Sequence, residues 1–492
     1  MRPLFLFVGL FAICSLLGSC SGWHSPSIGS QDSSEGNPGV GSGLLPQGVT
    51  IGDVSSARAL LWVRTDGAAA VQVEWAPLPV GGQVSTSSAD VAPLSRTSLL
   101  KTGAETDYTL TIPLEGLTPS TRYRYHVVVG SAASSTQQLS GKSAATGEFV
   151  TLPDEQISRT VMFAWSGDLG SGGRCRQGLD GYPIFDVIHR YNPNFFLFLG
   201  DTIYGDHVCP SPPNEPGADF KATTLEAYRL RHRYQRGADA LRRFLMGTPV
   251  YVVWDDHEVR NNFSGPYDEQ MPPGRQALRE YWPIASPLED PHRLYRTVRY
   301  GADLELFILD VRQYRSRNED RDGVSKTMLG TAQLAWLLDG LQSSTATWKV
   351  IATPVPLSIP KGGDARVPGN DGWAGGPDGT GFERERQVIV DTILTHQIKN
   401  VVFLSGDVHW VQANAYDPNH DGVIDFHEYI AGPLSAPPGR FAPTQTALHP
   451  TELFYETGYH NFGLARATKN DFHVSMVDET GKERASHRIV AR

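Results

Sequence analysis

The sequence predicts a layered α/β domain that follows a small β-sandwich. Across residues 153–492, short and nearly continuous apolar strands alternate with helix-like stretches. Strands of this kind are typical of sheets that are buried on both faces. Residues 46–152 instead carry short segments of alternating polar and apolar residues, separated by polar or Gly- and Pro-containing stretches. That pattern is typical of a β-sandwich.

The elements of the α/β domain can be placed one by one. The predicted strands cover residues 161–165, 195–199, 250–254, 304–309, 348–352 and 401–404. The helix-like stretches cover residues 180–191, 224–245, 274–282, 331–342 and 383–397. Residues 205–219 and 361–381 are rich in Gly, Pro and Asp, and we expect them to form long surface loops.

The first residues resemble an export signal. An apolar run from Leu4 to Leu17 has the length of a signal peptide and is too short to span a bilayer comfortably. It leads into Leu-Leu-Gly-Ser-Cys20, which resembles a bacterial lipobox with Cys20 as the lipidation site; an ordinary signal peptide cleaved nearby is the alternative. We therefore interpret residues 1–19 as a lipoprotein signal peptide and residues 20–45, rich in Ser, Gly and Pro, as a linker. We expect a monomer that is exported to the periplasm or cell surface and anchored to a membrane by lipid.

Net charge and cysteine content limit the classes of partner and the cellular compartment. The formal net charge is -10, which argues against a nucleic-acid scaffold because such a partner requires a basic face. A phosphorylated substrate stays possible because metal ions can supply local positive charge. Beyond the predicted signal peptide and Cys20, Cys175 and Cys209 form one even pair, which predicts a disulfide in an oxidising compartment. A metal ligand or a free buried thiol is the alternative.

Four predicted strands end in turns that carry acidic side chains or histidine. In α/β folds, sites form outside the carboxyl ends of strands, so these turns are expected to converge. Several carboxylates at one place repel one another unless cations bind them. Each turn alone has an ordinary explanation as a tight turn or a helix cap. Together they predict a metal site built from Ser166-Gly167-Asp168, Gly200-Asp201-Thr202-Ile203-Tyr204, Asp255-Asp256-His257-Glu258 and Ser405-Gly406-Asp407-Val408-His409.

These motifs resemble those of the calcineurin-like metallophosphoesterases. The Gly200–Tyr204 segment is similar to the purple acid phosphatase branch, and Trp254–Asn262 and Leu309–Arg315 resemble the alkaline phosphatase D (PhoD-like) family. The resemblance covers roughly residues 46–485. It implies a four-layer metallophosphoesterase α/β sandwich preceded by a fibronectin- or Ig-like β-sandwich. Residues 117–125 also resemble the E–F corner of fibronectin type III domains.

The resemblance also implies roles for individual residues. Fe³⁺ is expected as the first metal, and a second divalent metal, Ca²⁺ or Zn²⁺/Mn²⁺, is expected beside it. The implied metal ligands are Asp168, Asp201, Tyr204, Asp256, Asp407 and His409. His257 is expected to protonate the leaving oxygen or to stabilise the transition state. Asn262, Arg312 and Arg229 are weaker candidates for orienting ligands or phosphate, with a structural hydrogen bond as the alternative.

The implied reaction is the hydrolysis of phosphate esters by a water that the metals activate. The protein would then be a phosphomonoesterase or phosphodiesterase, and the sequence does not distinguish these two. A phospholipase D-like phosphodiesterase is one alternative. A non-catalytic surface binding protein on the same scaffold is another, although every expected ligand position is filled.

A second motif predicts a possible structural calcium site. Its six residues fit the spacing of a twelve-residue calcium loop, with Val423 contributing a backbone carbonyl. The flanking residues are predicted to be extended rather than helical. The alternative is a polar hairpin whose Glu428 belongs to the next strand. The six positions are Asp417, Asn419, Asp421, Val423, Asp425 and Glu428.

Overall fold

The structure is a computed structural model, and it describes residues 44–79, 94–134, 139, 143–172, 174–361, 370–376 and 380–492. The predicted signal peptide, Cys20 and the linker up to residue 43 lie outside these residues. Among the helices in the described part of the chain, we find no apolar helix of the length that a membrane span requires.

The strands follow one another along the whole described chain. They are β1 (Val49–Gly52), β2 (Arg58–Arg64), β3 (Ala69–Pro77), β4 (Ser95–Arg96), β5 (Leu100–Lys101), β6 (Thr109–Glu115), β7 (Arg122–Ser131), β8 (Ser143–Val150), β9 (Val161–Ser166), β10 (Phe195–Leu199), β11 (Val250–Val253), β12 (Arg296–Tyr300), β13 (Leu304–Ile308), β14 (Trp348–Ala352), β15 (Val401–Ser405), β16 (Val411–Tyr416), β17 (Phe426–Ile430), β18 (Pro450–Glu456), β19 (Asn461–Ala467), β20 (Asp471–Asp478) and β21 (Glu483–Val490).

Six α-helices lie between the strands of the second half. They are α1 (Ile184–Arg190), α2 (Leu225–Arg236), α3 (Asp239–Gly247), α4 (Met271–Tyr281), α5 (Gly330–Ser343) and α6 (Glu383–Thr395). Each predicted helical stretch overlaps at least one of them. The stretch 224–245 is divided in two because Gly237 ends α2 and the backbone is extended at Ala238 before α3 begins. Glycine is a poor residue for a helix interior, which explains the break.

Two large sheets form the centre of the molecule. The first has the order β21-β20-β19-β9-β10-β11-β1-β2-β6, and the second has the order β12-β13-β14-β15-β17-β16-β18. β9, β10 and β11 are parallel neighbours, and so are β13, β14 and β15. Their carboxyl ends therefore lie along the same edge of each sheet, where the acidic turns follow.

The side chains of β13 show how the layers pack. Leu306 and Ile308 contribute to a core shared with β9, β10 and β11, whereas Phe307 between them packs with residues of α5 and α6. Alternation of this kind is the two-residue period of a strand whose two faces are both covered. On the first sheet, Phe196 packs against Phe185 of α1 and Phe244 of α3. The result is four layers, helix–sheet–sheet–helix, as predicted.

The N-terminal strands contribute to two sheets. β3, β4, β5, β7 and β8 form a separate small sheet. β1, β2 and β6 instead extend the first large sheet, because β1 pairs in parallel with β11 at Gly52 and Val250. The predicted boundary at residues 152–153 is thus crossed by a continuous sheet, which the local patterns in the sequence do not indicate.

Candidate metal centre

The four acidic turns meet at one edge of the two sheets. Asp168 follows β9, Asp201 and Tyr204 follow β10, Asp256 follows β11, and Asp407 and His409 follow β15. The three strands of the first sheet are adjacent, so their turns are adjacent as well. β15 supplies the fourth turn from the second sheet.

Five residues in these turns have a left-handed backbone. A positive φ is uncommon for residues other than glycine, and it is concentrated at functional sites where the surrounding structure holds it. Here Gly167, Gly200 and Gly406 directly precede three of the five. The backbone thus turns sharply enough to aim short side chains back toward the strand ends. The φ values are 64° for Asp168, 52° for Asp201, 56° for Asn262, 67° for Asp407 and 63° for His409.

Glu258 joins two of the turns. Its carboxylate is fully buried and accepts hydrogen bonds from the backbone nitrogens of Asp201 at 3.1 Å, Thr202 at 2.7 Å and Asp255 at 3.0 Å. It also accepts from Oγ1 of Thr202 at 2.7 Å. The glutamate of the His-Glu motif therefore fixes the backbone at Asp201 and at Asp255, the neighbour of Asp256, rather than pointing into the site.

Asp168, Tyr204 and His409 form one ligand group with Asp201. Nε2 of His409 lies 3.3 Å from Oδ1 of Asp168 and 3.0 Å from the hydroxyl of Tyr204. Nδ1 of His409 lies 2.8 Å from the carbonyl oxygen of Pro437, which can only accept a hydrogen bond. A neutral ring therefore carries its proton on Nδ1 and directs the lone pair of Nε2 toward Asp168 and Tyr204, where a cation could bind.

Asp201 connects this group to a second one. Potential ligand atoms of Asp168, Asp201 and His409 lie within 4.8 Å of one another, as do those of Asp201, Asp256 and His257. A third set within the same limit contains Asp256 and Asp407 together with Asp255. One carboxylate shared between neighbouring sets is the arrangement that a bridged pair of cations requires.

Buried charge without partners shows that cations fit this site. Oδ2 of Asp168 and Oδ1 of Asp256 are buried without a hydrogen-bond partner among the described residues, and Oδ2 of Asp407 is buried beside the ammonium group of Lys361 at 3.3 Å. Burial and the charges of Asp256 and Asp255 raise the pKa of Asp201 well above its usual range, and burial with the charge of Asp201 likewise raises the pKa of Tyr204. Oxygen and imidazole donors of this kind suit hard or borderline metal ions, which would remove the repulsion.

One cavity of about 310 Å³ opens onto these groups. Its wall includes the predicted residues Asp201, Asp256, His257, Asn262, Asp407 and His409. Asp168 and Tyr204 lie behind this wall, in contact with His409. The structure thus brings the six predicted metal ligands, His257 and Asn262 to one place.

Comparison with known proteins identifies the family. The model of the PhoD-like phosphatase family matches residues 165–476, and that of its N-terminal domain matches residues 32–153. The chain belongs to the PhoD-like phosphatase family. It is 27% identical over 329 residues to alkaline phosphatase D of Bacillus subtilis (strain 168), which is 61% of this chain. The match spans about half of that relative, 52% of its length.

Two solved structures share the fold. A structure of PhoD superimposes with a TM-score of 0.69 at 21% identity, covering 92% of this chain and 94% of that one. The purple acid phosphatase PPD1 from yellow lupin (Lupinus luteus) superimposes with a TM-score of 0.61 at 14% identity, covering 91% and 75%. This PhoD-like chain therefore has the layered fold expected from its motifs.

His257 is held by a residue that the sequence did not single out. Nδ1 of His257 lies 2.6 Å from Oδ1 of Asp206, and its Nε2 lies 3.8 Å from Oδ1 of Asp256. The ring stacks on that of Tyr204, with centroids 4.1 Å apart. Burial lowers the pKa of His257, but the charges of Asp256 and Asp206 outweigh it and raise the pKa to about 9. Asp206 lies two residues beyond the Gly-Asp-x-x-Tyr motif, so only an acidic residue near that motif could have signalled it.

The structure does not place Arg312 in the cavity. Its guanidinium is fully buried, with Nε 2.6 Å from Asp255 and Nη1 2.7 Å from Asp371. Nη2 lies 3.9 Å from Oδ2 of Asp256. Of the two roles predicted for Arg312, contact with phosphate is wrong because both sides of the guanidinium are occupied. Orientation of the ligand Asp256 agrees with the geometry.

Arg229 has a structural role. Its guanidinium pairs with Glu280 at 2.6 and 2.7 Å and donates to the carbonyl oxygen of Glu105 at 2.6 Å. The prediction that it orients ligands or phosphate is wrong, because these bonds tie α2 to α4 and to the N-terminal region. The alternative interpretation, a structural hydrogen bond, is the one that the structure supports.

The last residue of the predicted calcium loop does not face the loop. Glu428 lies in β17 with its carboxylate buried, where it accepts from Tyr416 at 2.6 Å and from the backbone of Leu357 at 2.7 Å. Its role as the twelfth ligand is wrong, because the strand directs it into the core. Asp417, Asn419 and Asp421 accept backbone hydrogen bonds within the turn.

Cys175 and Cys209 are bonded, as the even cysteine pair predicts. Their Cα atoms are 5.9 Å apart and both side chains are buried. The disulfide lies next to the metal centre, because Arg231 donates to Sγ of Cys209 at 3.5 Å and to the carbonyl oxygen of Tyr204 at 2.6 Å. It therefore supports the turn that carries Tyr204.

Proposed function

We propose that this protein hydrolyses phosphate esters at a site that holds two metal cations. The proposal rests on the convergence of four buried carboxylates, a phenol and an imidazole at one site, where two carboxylate oxygens lack hydrogen-bond partners among the described residues. Family membership supports the same reaction class. An alternative such as a surface binding protein gives no reason to keep unpartnered buried charge.

The residues divide between two cations through Asp201. Asp168, Tyr204 and His409 would hold the first with Asp201, and Asp256 and Asp407 would hold the second with Asp201. When bound, such cations polarise a phosphoryl oxygen and lower the pKa of water, so that water attacks phosphorus without a nucleophilic side chain. Glu258 holds the backbone of Asp201, and the guanidinium of Arg312 lies 3.9 Å from the carboxylate of Asp256.

His257 would act on the leaving group. Its Nε2 lies at the cavity wall beside Asp256, and the carboxylate of Asp206 beside Nδ1 favours the protonated ring. A protonated ring can donate its Nε2 proton to the oxygen that leaves phosphorus. Asn262 lines the same wall, and its backbone nitrogen donates to Oδ2 of Asp256 at 2.7 Å.

The reaction is tested with purified protein and simple esters. We expect p-nitrophenyl phosphate or bis(p-nitrophenyl) phosphate to be hydrolysed by the metal-loaded protein, with activity lost on chelation and restored by metal. D256N should abolish turnover, whereas D219N, in an exposed loop, should not. Absence of hydrolysis of either ester by protein with full metal content would refute the proposal.

We propose Fe³⁺ for the first position because a phenolate is a strong ligand for this hard cation. Elemental analysis should then find iron, together with a second divalent metal such as Ca²⁺, Zn²⁺ or Mn²⁺. Tyrosinate bound to ferric iron absorbs visible light, so the protein should be coloured and Y204F should lose the colour. A colourless protein that contains only zinc would contradict this assignment.

We also propose the exported, lipid-anchored state on the lipobox-like sequence that ends at Cys20. Full-length protein should partition with membranes and incorporate a labelled fatty acid. C20A should do neither and should leave the hydrolytic activity unchanged. Equal labelling of C20A and wild type would exclude Cys20 as the lipidation site.

A further inference from the structure

Lys361 brings a positive charge to the wall of the metal cavity. Its Nζ lies 3.3 Å from Oδ2 of Asp407 and donates to the carbonyl oxygen of Asp407 at 3.1 Å. The residue lines the same cavity as His257 and Asn262, and 25% of its side chain is exposed. An ammonium group has three donor hydrogens, so the contacts with Asp407 leave one for a ligand in the cavity.

The backbone of Lys361 is anchored to the core. Its carbonyl oxygen accepts from the backbone nitrogen of Asp371 at 3.0 Å. The carboxylate of Asp371 is fully buried and is held by Arg312 at 2.7 Å and by Arg315 at 2.8 Å. Lys361 therefore stands at a defined position, although it begins the insert predicted as a surface loop.

The charges of the site leave Lys361 available to a substrate. Two metal cations would offset the carboxylates of Asp168, Asp201, Asp256 and Asp407. The lysine would then not be needed to neutralise Asp407, and it would add positive charge to the wall of the cavity. A phosphate dianion is the complement of such a surface.

We propose that Lys361 binds a non-bridging oxygen of the substrate and thereby favours phosphomonoesters over phosphodiesters, an inference that rests on the proposed hydrolysis of phosphate esters. A monoester has three non-bridging oxygens and, at neutral pH, two negative charges. A diester has two such oxygens and one charge. If each cation took one non-bridging oxygen, a monoester would keep a third oxygen for the lysine, whereas a diester would not.

The first experiment measures binding of inorganic phosphate without turnover. Calorimetric titration of metal-loaded K361M should give a dissociation constant about tenfold or more above that of wild type, the range for losing a hydrogen bond between charged groups. K361Q, which keeps a polar side chain of similar length, should bind phosphate more weakly than wild type by a similar factor. K399M removes an exposed lysine outside this cavity and should bind phosphate as wild type does.

The second experiment compares the two ester classes. In K361M the KM for p-nitrophenyl phosphate should rise about tenfold, whereas that for bis(p-nitrophenyl) phosphate should change by less than about twofold. Metal content should equal that of wild type in every variant.

Three outcomes would overturn the assignment: unchanged phosphate affinity in K361M and K361Q, equal effects on both esters, or loss of metal, which would make Lys361 a support for Asp407. If wild type hydrolysed neither ester, the proposed function would fail, while the phosphate titration would still decide whether Lys361 binds phosphate.

Discussion

The carboxylate of Asp206 lies 2.6 Å from Nδ1 of His257, opposite the ring nitrogen that lies beside Asp256. The other carboxylate oxygen of Asp206 accepts from the backbone nitrogen of Asn261 at 2.9 Å, so the acid itself is held in place. A carboxylate in this position keeps a proton on Nδ1 and fixes the orientation of the imidazole ring. Asp206 is thus a positioning residue for His257.

The first prediction concerns this pair. D206N keeps the shape of the side chain but removes the charge that orients the imidazole, so kcat should fall about 10- to 100-fold with metal content unchanged. In an H257N background the same change should cost no further activity, because Asp206 acts through the ring. Additive losses in the double variant, or loss of metal from D206N alone, would show that Asp206 has another role.

The second prediction concerns the cost of the carboxylate cluster. Burial and the neighbouring acids raise the pKa of Asp201, so its ionised form is unfavourable in the folded protein when no cation is bound. Chelation should therefore lower the melting temperature of wild type at neutral pH. Metal-free D201N should be more stable than metal-free wild type, on the order of 1–3 kcal/mol, the cost of an uncompensated buried polar or charged group.

Thermal unfolding with and without chelator checks this prediction. Once metal is added, wild type should be more stable than D201N, because the variant lacks a bridging ligand and binds cations weakly. If metal-free D201N were less stable than metal-free wild type, repulsion among the acids would not be the dominant force in the empty cluster. D219N again serves as the matched control, since Asp219 is exposed.

The metal ligands could be predicted from the sequence because they lie in the turns that follow strands. Gly-Asp turns at strand ends leave few places for Asp168, Asp201 or Asp407 to point, and parallel strands bring such turns together. The role of Glu428 was predicted wrongly because the calcium-loop motif considers only the spacing of residues and not the strand in which Glu428 lies. In β17 the two-residue period sends Glu428 into the core instead.

The roles of residues that depend on contacts distant in sequence could not be predicted. Lys361 contacts Asp407 at a separation of 46 residues in sequence, and Arg312 is held outside the cavity by two acids that lie 57 and 59 residues away. The pairing of β1 with β11 likewise joins residues almost 200 positions apart. Local periodicity carries no information on pairs at such separations.

The third prediction concerns the disulfide. Cys175 and Cys209 close a loop with a sequence separation of 34. In the chain-entropy model a loop of this size stabilises the folded state by about 4 kcal/mol, because it restricts the unfolded chain. The C175S/C209S variant should therefore lose about that much free energy of unfolding in urea titrations. Wild type measured under reducing conditions should match the variant; a difference would point to an effect of the serines themselves.

The fourth prediction concerns Arg236, which joins α2 to the N-terminal strands. Its guanidinium lies between the rings of Trp62 and Trp282, with its central carbon 4.0 and 4.2 Å from their centroids, and it donates to the carbonyl oxygen of Tyr281. No carboxylate pairs with it among the residues that the structure describes. The planar group is thus held by stacking and hydrogen bonds, which a lysine ammonium cannot reproduce.

R236K should lower the free energy of unfolding by about 2–4 kcal/mol, from the lost stacking and the unsatisfied acceptors. R122K changes an arginine whose side chain is 63% exposed, and it should shift stability by less than about 0.5 kcal/mol. Chemical denaturation of both variants measures the difference. Equal stability of R236K and wild type would mean that charge alone, rather than the stacked plane, holds α2 to β2.

The last prediction concerns acid stability and His427. Burial, with help from His487 and Arg492, lowers the pKa of His427 in the folded protein to about 3. The unfolded chain titrates near pH 6.5, so between these values it binds more protons than the folded chain. His427 thus costs no stability above about pH 6.5 and destabilises the fold progressively, by up to about 1.4 kcal/mol per pH unit, as pH falls toward 3.

H427F removes the proton-binding site but keeps a ring of similar shape in the core. The free energy of unfolding of this variant should fall less steeply with decreasing pH than that of wild type, whatever its value at neutral pH. H189Q, at an exposed histidine in α1, should leave the slope unchanged. Parallel curves for H427F and wild type between pH 6.5 and pH 4 would mean that His427 is protonated or hydrated in the folded protein, and that acid sensitivity arises at other groups.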